Sequence, residues 1–282
     1  DDANIDDDGH LIVGAAVGAG SDTMDRAERL VDAGCDVLVI DTAHANSKNV
    51  IDTVKLLKAE FPDTDVVAGN ISHHHAVKPL CEAGADGLLV GQGPGSICTT
   101  RIVAGVGCPQ VSAVYRCANE AAPLGIPVCA DGGIRYSGDM VIAFAAGASS
   151  VIVGKLLAGC KESPGDIEPH DGKRMKVYRG MGSFGAMKER VESRGRYGQQ
   201  NTSEDKLVPE GVEGAVPYAG PVKNTLTQFV GGIQSGLAYL GTRNILDLQA
   251  KAEIFRLTGS GSTESHPHGL TSMSGAPNYG GR

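Results

Sequence analysis

The sequence has no tryptophan, and only 4% of its residues are aromatic. A core built on large rings is therefore excluded. The apolar 41% must bury chiefly as Ala, Val, Leu and Ile. No apolar run approaches the ~18 residues of a spanning helix, so a membrane is not an expected partner. No C-x-x-C pair occurs, and the seven cysteines are odd in number. That gives no disulfide framework and little basis for a thiolate zinc site; reduced thiols in the cytoplasm are expected. Long basic runs are also missing and the formal net charge is −8, so nucleic acid is not an expected partner either. A locally basic pocket for one small anion stays open. The first residues, "DDANIDDDGHL", are acidic and do not have the pattern of a signal peptide.

What is abundant is glycine, 40 residues, and it recurs in a pattern. "DAGCDVLVID", "EAGADGLLVG" and "AAGASSVIVG" share one shape: a helix closes on Gly34, Gly84 or Gly147, a short polar step follows, then an apolar run. Such runs suit strands buried on both faces of a parallel sheet. Strands are expected at 11–17, 37–41, 66–69, 88–91, 128–131 and 151–154. Helices are expected at 22–33 and 47–60 in this half, and at 223–240 and 244–254 further on. The alternation means βα units, with no hairpin signal between them. Six units are visible, so the chain is either an open doubly wound sheet or a (β/α)₈ barrel without its first two units. After Gly159 the sequence turns polar and Gly-rich with little periodicity, which suggests a mobile flap or lid.

In a parallel βα array, ligands bind at the carboxyl ends of the strands. Asp41, Asn70, Asp131, Gly132, Gly133 and Gly154 collect on that rim. A carboxylate at Asp131 suits a pair of sugar hydroxyls, and glycines let backbone N–H groups approach a phosphate. Lys155 and Ser96 add a charge and a hydroxyl. Ordinary turn chemistry explains the same glycines equally well. Cys98, in "GQGPGSICTTR", differs from the other cysteines because it lies in a polar strand-end loop, where thiols are more often reactive. His73–His75, in "SHHHAV", are expected at a helix start, with rings pointing in different directions rather than toward one metal.

Five motifs then occur in order: "GPGSICTTR", "ADGGIRYSGD", "YRGMGSFGAM", "KLVPEGVEG" and "ESHPH". Together they strongly resemble the IMP dehydrogenase / GMP reductase family, from "VGAAVG" to "APNY". The resemblance implies a (β/α)₈ TIM-barrel type of fold lacking its first two βα units, as a single catalytic domain over 1–282 with a flap at about 183–215 and no CBS regulatory module. It implies oxidation of IMP to XMP with NAD⁺, in a homotetramer that uses K⁺. Cys98 is then the nucleophile, with Thr100 and the flap pair Arg196–Tyr197 serving hydrolysis. Ser96, Gly132, Gly133, Gly154, Lys155, Tyr178 and Gly180 face the phosphate, and Asp131 the ribose. Met181, Gly182 and Glu210 face the base. Asp41, Thr42, Asn70 and Gly91 lie on the cofactor side. The carbonyls of Gly93, Gly95 and Cys98 form a potassium site completed by Glu264, Ser265 and His266 of a neighbouring copy.

The sequence departs from the family pattern at Ala45, Leu89 and Lys155, and "ISHHHAV" is atypical. Two alternatives accompany the dehydrogenase. One is GMP reductase, which deaminates GMP with NADPH. The other is a non-catalytic fragment or nucleotide-binding paralogue needing an N-terminal segment or partner chain.

Overall fold

The computed structural model describes residues 4–272 and 275–279. Its main layer is a six-stranded sheet: β1 (Gly14–Val17), β2 (Val37–Asp41), β3 (Asp65–Ile71), β4 (Gly87–Val90), β5 (Val128–Asp131) and β6 (Ser150–Ile152). Every pairing is parallel and the order is sequential, β1 to β6. Sequential order is what right-handed βα crossovers give when each unit lies beside the last. The sheet curls into a partial barrel whose edges are β1 and β6, so the barrel reading holds over the doubly wound one.

The helices over this sheet include Thr23–Asp32, Lys48–Glu60, Gln110–Ala121 and Ser137–Ala145. Leu38, Ile40, Val54, Leu57, Val66, Leu88 and Val114 are fully buried between the two layers. Gly34, Gly84 and Gly147 follow their helices at φ of 86°, 103° and 106°, as the repeat requires. The first strand is shorter than expected. Leu11 bridges to Ile5, and Ile12 and Val13 lie exposed beside the open edge.

A second sheet was not anticipated. β7 (Ile167–His170), β8 (Lys173–Arg179) and β9 (Glu213–Pro217) form an antiparallel layer. Its hairpin turns on Asp171–Gly172, both at positive φ, 50° and 73°. Asp-Gly is a strong hairpin signal. It was masked because the inward position of β8 is a lysine. Lys176 is 2% exposed, and its ammonium donates to the carbonyls of Cys160 (2.8 Å), Lys161 (3.4 Å) and Ser163.

The polar stretch after Gly182 also holds regular structure, the helices Phe184–Glu189 and Val191–Arg196. Ser183 caps the first through its Oγ, which accepts from the Ala186 N–H at 3.3 Å, and Met187 is fully buried beneath it. Further on, helices occupy Val222–Tyr239 and Ile245–Lys251. Among the described residues, no helix is long and apolar enough to cross a membrane.

His73–His75 do lie at a helix start, but the first turn is 3₁₀ and passes directly into a short α-helix, Val77–Glu82. His73 is extended and His74–Ala76 form a 3₁₀ turn, which brings the three rings together with centroids 4.3–4.6 Å apart.

Candidate active site

Cys98 sits half-buried in the loop after β4, and its thiol lies 3.2 Å from Thr100 Oγ1. Three distant segments brace this loop. The Thr99 N–H donates to the Glu210 carbonyl (2.9 Å), and the Val212 N–H donates to that of Ile97 (3.0 Å). The Glu210 N–H in turn donates to the Gly182 carbonyl at 2.9 Å. On the other side, a Cβ on Gly132 would come within 3.0–3.2 Å of Pro94 and the Gly95 nitrogen. The glycines after β5 therefore serve to admit the cysteine loop as well as any ligand.

Of the residues expected around phosphate, three converge, while Gly132 and Gly133 lie against Pro94 and Gln110 instead. Ser96, Lys155 and Tyr178 line one cleft of about 250 Å³, together with Ile97 and residues 212–216. The Tyr178 hydroxyl approaches the backbone of Gly154, where a Cβ would lie 3.0 Å from it. Lys155, a departure from the family pattern, thus faces the cleft rather than crowding the turn. Gly180 packs on Ile97 and Gly182 on the Tyr197 ring, while Met181 is exposed beside them.

Asn70 links two groups that the sequence assigned to separate sides. Its amide donates to the Asp131 carboxylate (2.7 Å) and to the Gly91 carbonyl (2.8 Å). Burial raises the Asp131 carboxyl above its ordinary value, and the Asn70 hydrogen bond restrains that rise. Gly91 must be glycine, since a Cβ would overlap the Asp131 carbonyl at 1.9 Å. Thr42 is buried, its hydroxyl on the Gly69 carbonyl at 2.8 Å. Ala45 is fully buried, and Leu89 is packed over Gly69.

Arg196 reaches back across the rim to form a salt bridge with Asp41, and its carbonyl accepts from the Ala43 N–H at 2.9 Å. Burial pulls the guanidinium below the usual arginine range, with Tyr197 working the other way. Tyr197 is raised by burial, against the pull of Arg196. One oxygen of Asp41 and Nε of Arg196 are buried with no hydrogen-bond partner among the described residues.

The tail is not brought to the loop within this chain. The ring of His266 lies 2.9 Å from the Tyr279 hydroxyl and packs beside Tyr136, and the Ser265 hydroxyl caps Gly261. Among the described residues, 264–266 make no hydrogen bond to Gly93, Gly95 or Cys98.

Two residues of this site were overlooked in the sequence. Gln110 Nε2 donates to the carbonyls of Val90 (2.7 Å) and Asp131 (3.1 Å), tying together the ends of β4 and β5. Gln92 donates to the Ala43 carbonyl at 2.8 Å. Gln92 lay inside the quoted motif and was legible there; Gln110 carried no local signal.

A parallel partial barrel, with a braced cysteine and a polar cleft at its strand ends, defines an α/β protein of the barrel class with its site on the carboxyl rim. Within that class the assignment is narrow. The family model for the IMP dehydrogenase / GMP reductase domain matches residues 1–268, and the chain belongs to that family. It is 54% identical over 274 residues to inosine-5′-monophosphate dehydrogenase of Halalkalibacterium halodurans, covering 97% of this chain and 56% of that one. The Aquifex aeolicus protein of the same name is 55% identical, covering 97% and 55%. Among solved structures, a cysteine-to-alanine variant of GMP reductase from Trypanosoma brucei, in complex with guanosine 5′-monophosphate, superposes with a TM-score of 0.87. It is 46% identical, covering 95% of this chain and 55% of that one. The chain thus spans about half the length of these relatives.

Proposed function

We propose that this chain carries the catalytic residues for oxidation of IMP to XMP with NAD⁺, in the cytoplasm. The observation that carries the reading is the convergence of Cys98, the Ser96–Lys155–Tyr178 cleft and the Arg196–Tyr197 pair on one rim. The relatives named as dehydrogenases favour this reaction.

The 5′-phosphate sits in the cleft between Lys155, Ser96 and Tyr178, and the ribose hydroxyls meet Asp131. This places the purine C2 over Cys98. The thiolate adds to C2 and forms a covalent adduct on the sulfur. When bound, NAD⁺ supplies the acceptor for the hydride leaving C2. The residues fit a nicotinamide nucleotide on the Asp41 side, because a buried carboxylate oxygen there has no partner and suits a ribose hydroxyl.

Water then attacks the sulfur adduct, and XMP leaves with the thiol restored. Arg196 and Tyr197 serve this half. The Arg196 guanidinium, a hydrogen-bond donor beside the Tyr197 hydroxyl, can orient the attacking water and stabilise the hydroxide character that develops on it. Because Arg196 pairs with the carboxylate assigned to the cofactor, the two halves use one space in turn.

For K⁺, the carbonyls of Gly93 and Cys98 accept no backbone hydrogen bond among the described residues, which suits cation ligands; that of Gly95 already accepts from the Cys98 N–H at 3.1 Å. Residues 264–266 would complete the site from a second copy in a tetramer.

The test is to offer the purified chain IMP with NAD⁺, and separately GMP with NADPH, and follow reduced-nicotinamide absorbance. A rise in the first mixture alone supports the dehydrogenase. A fall in the second alone identifies a GMP reductase, the reading that the solved relative favours.

A further inference from the structure

The three adjacent histidines are used nowhere in this mechanism. We propose that His73, His74 and His75 form a binding site for one divalent transition cation of the imidazole-preferring class, such as Zn²⁺, Co²⁺ or Ni²⁺, with water in the remaining positions.

The backbone makes this possible. In an α-helix, neighbouring side chains point in different directions. Here His73 is extended (φ −123°, ψ 134°) and the 3₁₀ turn begins at His74, so all three rings meet. One ring nitrogen from each lies within 4.8 Å of the others. Nitrogens bound to a tetrahedral zinc lie about 3.3 Å apart, so each moves inward by less than about 1 Å. His73 and His75 are exposed and rotate at little cost. The contact of His73 Nδ1 with the His75 N–H is long, 3.3 Å, and yields to a metal bond.

A second observation points to a ligand. Nδ1 of His74 is buried and has no hydrogen-bond partner among the described residues. The chemistry selects the class of ion. The three imidazoles bring no carboxylate with them, and Arg116 is close enough to oppose a positive charge. Cations held by charge, such as Mg²⁺ or Ca²⁺, are disfavoured against those that form strong nitrogen bonds. The turn begins beyond the end of β3, beside the rim but outside the residues assigned to the cleft.

The test titrates the metal-free 282-residue chain with Co²⁺, whose spectrum separates nitrogen from thiolate ligands. One equivalent bound without a thiolate charge-transfer band is expected. H73Q and H75Q should each weaken it about tenfold or more, at least as much as loss of an outer-shell partner costs a metal site. H73Q/H74Q/H75Q should abolish it with the circular dichroism unchanged. Equal binding by the triple variant, a thiolate band accounting for all bound cobalt, or no binding at all overturns the proposal. Should the triple variant fail to fold, anomalous scattering from cobalt-soaked wild-type crystals decides: a peak among the three rings supports the site, and a peak elsewhere or none refutes it.

Discussion

Strands β1–β6 and strands β7–β9 bury their backbone by different means. In the parallel sheet each strand pairs with its sequence neighbour, and the buried side chains are Ala, Val, Leu and Ile, with Asn70 near the end of β3 as the polar exception. In the antiparallel sheet the fully buried residue of β8 is Lys176, which carries its charge among three carbonyls. The first sheet presents Cys98, Asp131 and Asn70. The second, with residues 180–182 and 210–212, closes over them from outside. The apolar sheet thus positions the reacting groups, and the polar one holds them in place.

Removing chemistry from the first region should have the largest effect. Cys98→Ala is expected to abolish turnover while leaving IMP binding measurable by calorimetry; residual turnover near wild type would refute the nucleophile. Next is a change in the second region. Lys176→Met strands three buried carbonyls, and a loss of roughly 3 kcal/mol is expected in denaturant unfolding. A neutral result would mean that the polar sheet does not depend on its lysine.

Arg196→Ala tests the contact between the regions. It should slow hydrolysis more than the oxidation half, so that stopped-flow traces show a burst of reduced nicotinamide. Equal slowing of both halves removes the division of labour.

Asp131→Asn is expected to act more gently, and in opposite directions on stability and binding. Burial raises the folded carboxyl above its ordinary 3.8, so the folded state binds the proton more tightly than the unfolded chain. This group's favourable contribution is full below 3.8 and is lost as pH rises through the raised folded value. The variant should therefore match wild type in acid and exceed it in thermal midpoint near neutrality, while binding IMP less well. A gap that narrows toward neutrality would contradict the sign. Smallest of all is Glu189→Gln, which breaks an exposed pair with Arg179 and should leave the melting midpoint unchanged within error.

The parallel sheet was legible because its signals are local: a glycine closing each helix, then an apolar run. The antiparallel sheet was not, because a buried lysine erased the alternation that marks a strand, although Asp171–Gly172 stood in plain view. Within the site, Cys98, Asp131 and Lys155 could be picked out from their positions at strand ends. The Asn70–Asp131 hydrogen bond and the double anchorage by Gln110 could not, since each depends on two strand ends meeting in space. The helix start at the three histidines was legible, but their ring directions were not, because the helix opens with a 3₁₀ turn after an extended His73.

The bracing of the cysteine loop by Glu210, Gly211 and Val212 also sets an order in time. On a ribosome, Cys98 emerges with its βα unit and can join the growing sheet early, yet its brace is synthesised far later. Before then the loop lacks the hydrogen bonds from residues 210 and 212, and the exposure of the Cys98 thiol is expected to differ from its half-buried setting in the finished protein. Nascent chains stalled before residue 212 and far enough past it for that residue to have left the ribosome should differ in the labelling rate of this cysteine, which makes it a reporter for completion of the site during synthesis.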